Sequence, residues 1–128
     1  MDYRKQIYER YVSMFKGKLL EERDYGFSDS KLIPLLFPWV TKLDRETSCL
    51  DLGCGHGNIL HALKTLGFSN ITGLDASAEQ VNLATAVTSD VRCMDILEYM
   101  RTNRESKYGL ITLFDVIEHL TKPEILEL

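Results

Sequence analysis

Four aspartates fall in or just after four short apolar runs: Asp51 in SCLDL, Asp75 closing NITGLD, Asp95 closing DVRCMD and Asp115 closing YGLITLFD. Carboxylates gathered in one place repel one another, and such a crowd is tolerated where a ligand brings positive charge or hydroxyl donors. Taken singly, each has a plainer explanation, because Asp is a frequent turn and helix-capping residue. Asp75, followed by Ala-Ser-Ala-Glu, could simply start a helix. Taken together, the four mark one edge of a structure. The first sits directly ahead of Gly53, Gly55 and Gly57 in CLDLGCGHG. Glycine loses the most backbone entropy on folding, so this cluster points to main chain that must stay bare. Gly53 suits a tight turn, Gly55 the approach of a ligand to the backbone, and Gly57 close helix–strand packing. Such a turn aims N–H groups and a helix N-terminus at whatever binds there.

The elements that would position these residues alternate in type. SCLDL, NITGLD, DVRCMD and YGLITLFD read as strands. Asn58–Leu66, Ala78–Ala86, Ile96–Arg104 and the segment opening at Lys122, with Pro123 in its first turn, read as helices. Strands alternating with helices predict βαβ units, hence an α/β, Rossmann-like, doubly wound parallel sheet with helices on both faces. In open sheets of this kind ligands bind beyond the carboxyl ends of the strands, at the topological switch point. The aspartates mark that edge. Upstream, Ile7, Tyr8, Tyr11, Met14 and Phe15 share one face of an amphipathic N-terminal helix, with Arg4, Lys5, Glu9 and Arg10 on the other. Residues 17–30 read as loop, with Ser28 or Ser30 capping a second apolar helix over 31–43 that Pro34 and Pro38 shorten or kink. The chain thus divides into an N-terminal helical segment, 1–45, and an α/β domain, 46–128.

Composition narrows the function classes. With 128 residues, 45% hydrophobic and 27% charged, the chain suits one soluble domain with its own core. A net charge of −4 without a basic run argues against a nucleic-acid partner and leans toward cationic ligands. No stretch approaches a membrane span, and the N-terminus has no apolar signal region. Cys49, Cys54 and Cys93 lack C-x-x-C spacing, so reduced thiols in a cytoplasmic protein are expected, with Cys49 and Cys93 as small core residues.

A carboxylate closing the second strand can accept hydrogen bonds from both hydroxyls of a ribose, which makes Asp75 the sign of a nucleoside ligand. A dinucleotide calls for G-x-G-x-x-G, whose extra residue makes room for a pyrophosphate. GCGHG is one residue short, and Asp51 two positions ahead of Gly53 would repel a pyrophosphate. The same carboxylate suits a ligand carrying an ammonium and a sulfonium, as S-adenosylmethionine does.

CLDLGCGHG, ITGLDAS, VRCMDI and LITLFDVIEHL, in this order over residues 48–128, resemble the class I S-adenosylmethionine-dependent methyltransferases. The resemblance implies that Asp51 and the Gly53–Gly57 turn hold the methionyl part. Asp75 would take the ribose, Ala76 would lie near adenine, and Asp95 and Ile96 would flank it, with Asp95 toward the exocyclic amine. Phe114 and Asp115 would lie beside the methionyl amine and the reacting methyl. FDVIEHL is similar to a subgroup containing ubiquinone-biosynthesis O-methyltransferases and small-RNA 3′-terminal 2′-O-methyltransferases. Some of these hold a divalent cation on an acid-x-x-Glu-His cluster, which would map onto Asp115, Glu118 and His119. The first acid is one methylene shorter here than is usual, and no metal is expected. His119 is then the candidate general base, with Glu118 beside it.

These readings give a methyl transfer to a small-molecule acceptor, most simply a hydroxyl. A domain of this class has seven strands, so a sheet of about four is expected to be truncated, its C-terminal part incomplete and the fragment alone inactive. The fourth strand would then offer an exposed edge for self-association. Two alternatives stay open: an NAD-dependent oxidoreductase, and a non-catalytic module that keeps the fold for binding.

Overall fold

The computed structural model describes residues 25–128; the amphipathic helix expected over residues 4–15 lies outside them. Within them a helix α1 (Tyr25–Val40) precedes β1 (Cys49–Leu52), α2 (Asn58–Thr65), β2 (Ile71–Asp75) and α3 (Ala78–Ala84). There follow β3 (Val91–Cys93), α4 (Ile96–Thr102), β4 (Leu110–Thr112), a 3₁₀ turn (Ile117–His119) and α5 (Lys122–Glu127). All four strands are parallel in the order β3-β2-β1-β4. The chain steps outward from β1 to β3, then returns to the other side of β1 with β4. Such a reversal is the switch point of a doubly wound sheet.

Crossovers between parallel strands are right-handed, which sends α2 and α3 to one face and α4 to the other. The core has that division. Cys49 packs with Leu36, Val40, Ile59, Leu60, Leu63, Phe68 and Val87 on the α1–α3 face, while Leu50, Leu52 and Leu74 pack with Tyr99 of α4 on the other. β1 is buried at all four positions, as a central strand covered on both faces must be. Its alternation sends Asp51 to the same face as Cys49, where it is 1% exposed.

Two details depart from the sequence reading. α1 begins at Tyr25, within the segment read as loop, and runs through both Pro34 and Pro38. It is fixed to α2 by side chains: Asp29 Oδ2 lies 2.9 Å from His61 Nδ1 and accepts from Thr65 Oγ1 at 2.7 Å, and the Tyr25 ring stacks on His61. Tertiary packing of this kind offsets the hydrogen bonds that proline removes. Cys93, read as a core residue, is exposed, because β3 is a short edge strand; Cys49 and Cys54 are buried. β4 has no strand partner on its outer side among the described residues, and Ile111 is 46% exposed.

Candidate functional site

The glycine turn is set by what surrounds it. Gly53 and Cys54 both donate their backbone N–H to the carbonyl of Leu74, at 2.7 and 2.8 Å, which binds the turn to the end of β2. Gly53 has φ +75°, and a Cβ there would sit 2.6 Å from Val116 Cγ2, so both conformation and space demand glycine. Gly55 (φ +54°) would meet only the amide end of Gln80, at 3.6 Å. Its freedom serves the open side of the turn. Gly57 is buried against Ala84 and Val87 at the end of α3. Close helix–strand packing, expected of Gly57, falls instead to Gly73 in β2, where a Cβ would lie 2.6 Å from Leu60 Cδ1 and 3.0 Å from Cys54 Sγ.

The aspartates then sort by environment. Asp51, opposite Thr112 in the β1–β4 register, accepts from Thr112 Oγ1 at 2.8 Å. Burial pushes its pKa up to about 7; the Thr112 bond pulls the other way and the Asp75 charge adds to the rise. Asp75 accepts the N–H of Gly55 on one oxygen and of Ser77 on the other, each at 2.9 Å. It is raised by burial, opposed by those two bonds. Asp75 therefore ties the glycine turn to the start of α3, while Ser77 itself is the N-cap. Asp95 is the N-cap of α4, one oxygen accepting from Leu97 and Glu98 N–H at 3.0 and 3.1 Å. The plainer capping role holds for it alongside any ligand role. Asp115 is exposed and has φ +54°, the one non-glycine in the left-handed region among the described residues. Asp tolerates that region better than most side chains.

A cleft of about 1030 Å³ opens at this edge. It is lined by Asp51, Gly53, Gly55, Asp75, Ala76, Asp95, Ile96, Phe114, Asp115, Glu118 and His119; of the predicted site residues, Gly57 alone is not in its wall. Ligand pockets run to roughly 300–1,000 Å³, so the cleft has space for a nucleoside-sized ligand and a second reactant. Five acids line it against one lysine, Lys31. His119 Nε2 lies 3.8 Å from Glu118 Oε1, both side chains being more than half exposed. Among the described residues no three His, Cys, Asp or Glu side chains converge to hold a metal ion.

Sequence reasoning missed several lining residues. Phe27, Ser28, Lys31 and Leu32 come from α1, and no spacing signal linked that helix to the glycine turn. Thr112 was hidden inside an apolar strand, although a hydroxyl beside a buried Asp is a signal once the β1–β4 pairing is known. Gln80 carries a buried Oε1 with no hydrogen-bond partner among the described residues.

The donor set fits a cation with hydroxyl groups: a buried, partly neutralised carboxylate at the switch point, a bare glycine backbone and further acids at the rim. Comparison with known proteins agrees in kind. Residues 20–126 match the family described as "Methyltransferase domain". Human EEF1A lysine methyltransferase 2 is 31% identical over 87 residues, 62% of this chain and 36% of that protein. Ubiquinone biosynthesis O-methyltransferase of Actinobacillus pleuropneumoniae is 29% identical over 83 residues, 58% of this chain and 35% of that protein. The chain thus spans about a third of the length of these curated relatives. In fold it is similar to magnesium protoporphyrin IX methyltransferase from Synechocystis, solved with S-adenosylmethionine bound: TM-score 0.69, 19% identity, covering 96% of this chain and 67% of the other. A methyltransferase from Archaeoglobus fulgidus gives TM-score 0.64 at 20% identity, over 77% of this chain and 44% of the other. These matches lend the oxidoreductase and non-catalytic readings no support. By the match over most of its length, the chain belongs to the methyltransferase-domain family.

Proposed function

We propose that the cleft binds S-adenosylmethionine and that the protein transfers its methyl group to a small-molecule acceptor, a hydroxyl in the simplest case. The observation that carries this reading is Asp51: a buried carboxylate at the switch point, raised to about 7, with one side-chain hydrogen bond. A carboxylate so placed is stabilised by an ammonium and penalised by a phosphate. Asp51 holds the methionyl ammonium, the bare backbone at Gly53 and Gly55 lets the ligand lie against the turn, and Asp75 takes the ribose hydroxyls with the lone pairs that Gly55 and Ser77 leave over. Ala76 and Ile96 would flank the adenine, with Asp95 toward its amine. Phe114 and Asp115 border the reacting end. Lys31, the one lysine or arginine in the described wall, would be the partner for the ligand's carboxylate.

When bound, the sulfonium supplies an electrophilic methyl group. The chain's part is to align the acceptor in line with it, exclude water and take a proton. His119 is the proposed base, with the Glu118 carboxylate 3.8 Å away. α1, from the segment 1–45, closes one wall. A cytoplasmic protein is proposed, in keeping with three free cysteines; no helix among the described residues is long and apolar enough to cross a membrane.

Calorimetric titration of the chain with S-adenosylmethionine and, separately, NAD tests the reading. Saturable binding of the first with none of the second is expected. NAD binding without S-adenosylmethionine binding would overturn it. Self-association through the β4 edge is proposed as well: light scattering should show oligomers that Ile111→Lys disperses, and a monomeric unmodified chain would dismiss the idea.

A further inference from the structure

We propose that Gln80 is a ribose-recognition residue of this cleft, its side-chain amide completing the hydrogen bonding that Asp75 begins. The inference rests on the reading of the cleft as an adenosyl-ligand site. Gln80 is 6% exposed, yet it lines the cleft. Its amide lies against the bare face of Gly55, with Nε2 3.6 Å and Oε1 3.9 Å from where a Cβ would stand. Gly55 in turn donates its N–H to Asp75 Oδ2, so the amide and the carboxylate flank the same glycine.

The backbone of Gln80 is held from below. Ser77 caps α3 and accepts the backbone N–H of Gln80 at 3.3 Å, which leaves the side chain to reach across the turn. Its Oε1 is buried and has no partner among the described residues. A buried acceptor without a donor is unfavourable, and natural structures leave few of them. A packing role alone would be better served by an apolar side chain of the same length, so the polar end calls for a partner.

The chemistry of that partner follows from the pair. A carboxylate only accepts, whereas an amide both donates and accepts. Two vicinal hydroxyls each have a proton to give and lone pairs to fill. With one hydroxyl proton on Asp75, the proton of the other goes to the partnerless Oε1, which the soft terminal torsion of glutamine lets turn toward it. Asp75 alone satisfies half of a diol; Asp75 with Gln80 satisfies more of it and disfavours a deoxy sugar.

The test uses the intact chain, S-adenosylhomocysteine and its 2′-deoxy and 3′-deoxy counterparts, with Gln80→Met as a near-isosteric variant. Calorimetry should show S-adenosylhomocysteine weakened about tenfold in Gln80→Met, as one hydrogen bond of ordinary strength implies. One of the two deoxy ligands, lacking the contacted hydroxyl, should bind both proteins alike. Thermal stability without ligand should be unchanged or raised. Equal loss for all three ligands, no loss for any, or a variant that unfolds at markedly lower temperature would overturn the role. If Asp75→Ala loses S-adenosylhomocysteine while Gln80→Met keeps it, this inference falls and the cleft reading stands. If the unmodified chain binds no adenosyl ligand, both fall.

Discussion

At the β1–β2 end of the cleft the acids are buried and held: Asp51 by Thr112, Asp75 by two backbone N–H groups. Beyond β4 the reverse is true, for Asp115, Glu118 and His119 are exposed, the first in the left-handed region and the other two in a single 3₁₀ turn. The first end is a preorganised socket, its acids already hydrogen-bonded in place. The second is exposed ground where side chains can change without disturbing the sheet. Rigid elements fix what must be placed to a fraction of an ångström, and loops carry what differs between relatives. The names of the two relatives, one a lysine methyltransferase and one an O-methyltransferase, differ on the acceptor side.

The comparison breaks most readily at the turn itself. Gly53→Ala should cost about 3 kcal/mol of stability by chemical denaturation, since its Cβ meets Val116 Cγ2 at 2.6 Å and φ is +75°. Gly55→Val, strained at φ +54° but with its nearest neighbour, the amide end of Gln80, no closer than 3.6 Å, should cost less, yet it should abolish cofactor binding. Equal stability losses with binding retained in the second variant would mean that both glycines serve packing alone.

Next in size is Asp75→Ala. The variant gives up the proposed ribose contacts and leaves the Gly55 and Ser77 N–H groups without their acceptor. Affinity for S-adenosylmethionine should fall by about 1.5–3 kcal/mol, with a drop in melting temperature besides. Asp75→Asn should cost less, as one acceptor oxygen remains. His119→Ala, at the exposed end, should change stability by no more than about 0.5 kcal/mol and leave affinity for S-adenosylmethionine level. An Asp75→Ala variant of unchanged affinity would remove the ribose assignment.

What could be read without coordinates follows the same division. The placement of the strands and the acid edge were legible because β1 and β2 obey local rules: short continuous apolar runs, each carrying an aspartate at or near its end, the first followed by glycines. The four strands and their intervening helices fall where the alternation placed them, each end within a few residues. α1 was misjudged because its two prolines are outvoted by packing on α2, a contact that propensity does not encode. Gln80 and Thr112 were invisible for a related reason. Each matters through a neighbour brought close by topology, Gly55 for the one and Asp51 across the β1–β4 register for the other. Gly73 passed unnoticed inside a strand, where only the distance to Leu60 reveals its purpose.

A pH titration sharpens the contrast at a smaller scale. The folded-state pKa of Asp51, about 7, stands above its ordinary 3.8, so its contribution to stability is present below about 3.8 and lost as pH rises through 7. Asp75, also raised by burial, acts in the same direction. A ligand ammonium prefers the anionic form, so cofactor affinity should move oppositely, rising up to about tenfold per pH unit below 7. Melting curves at pH 5.5 and 8, with and without S-adenosylmethionine, should therefore diverge. Asp51→Asn, which keeps an acceptor for Thr112, should flatten the ligand-dependent slope. A slope that survives the substitution would place the titrating group elsewhere.

The smallest expected effect lies at Asp115. Its φ of +54° is a conformation that glycine adopts without strain, so Asp115→Gly exchanges steric relief in the folded state for extra entropy in the unfolded one. The two terms are each about 1 kcal/mol or less, and melting temperature should stay level or rise slightly. If the residue were only a turn former, binding and turnover would stay level too. If it borders the reacting end of the cleft, as its place in the wall suggests, the glycine variant should fold as well as the parent and bind cofactor more weakly. Stability maintained together with lost affinity would identify an aspartate kept in an unfavourable backbone region for its carboxylate. A variant unchanged in both respects would reduce Asp115 to a link between β4 and the 3₁₀ turn, and confine the anionic site to Asp51, Asp75 and Asp95.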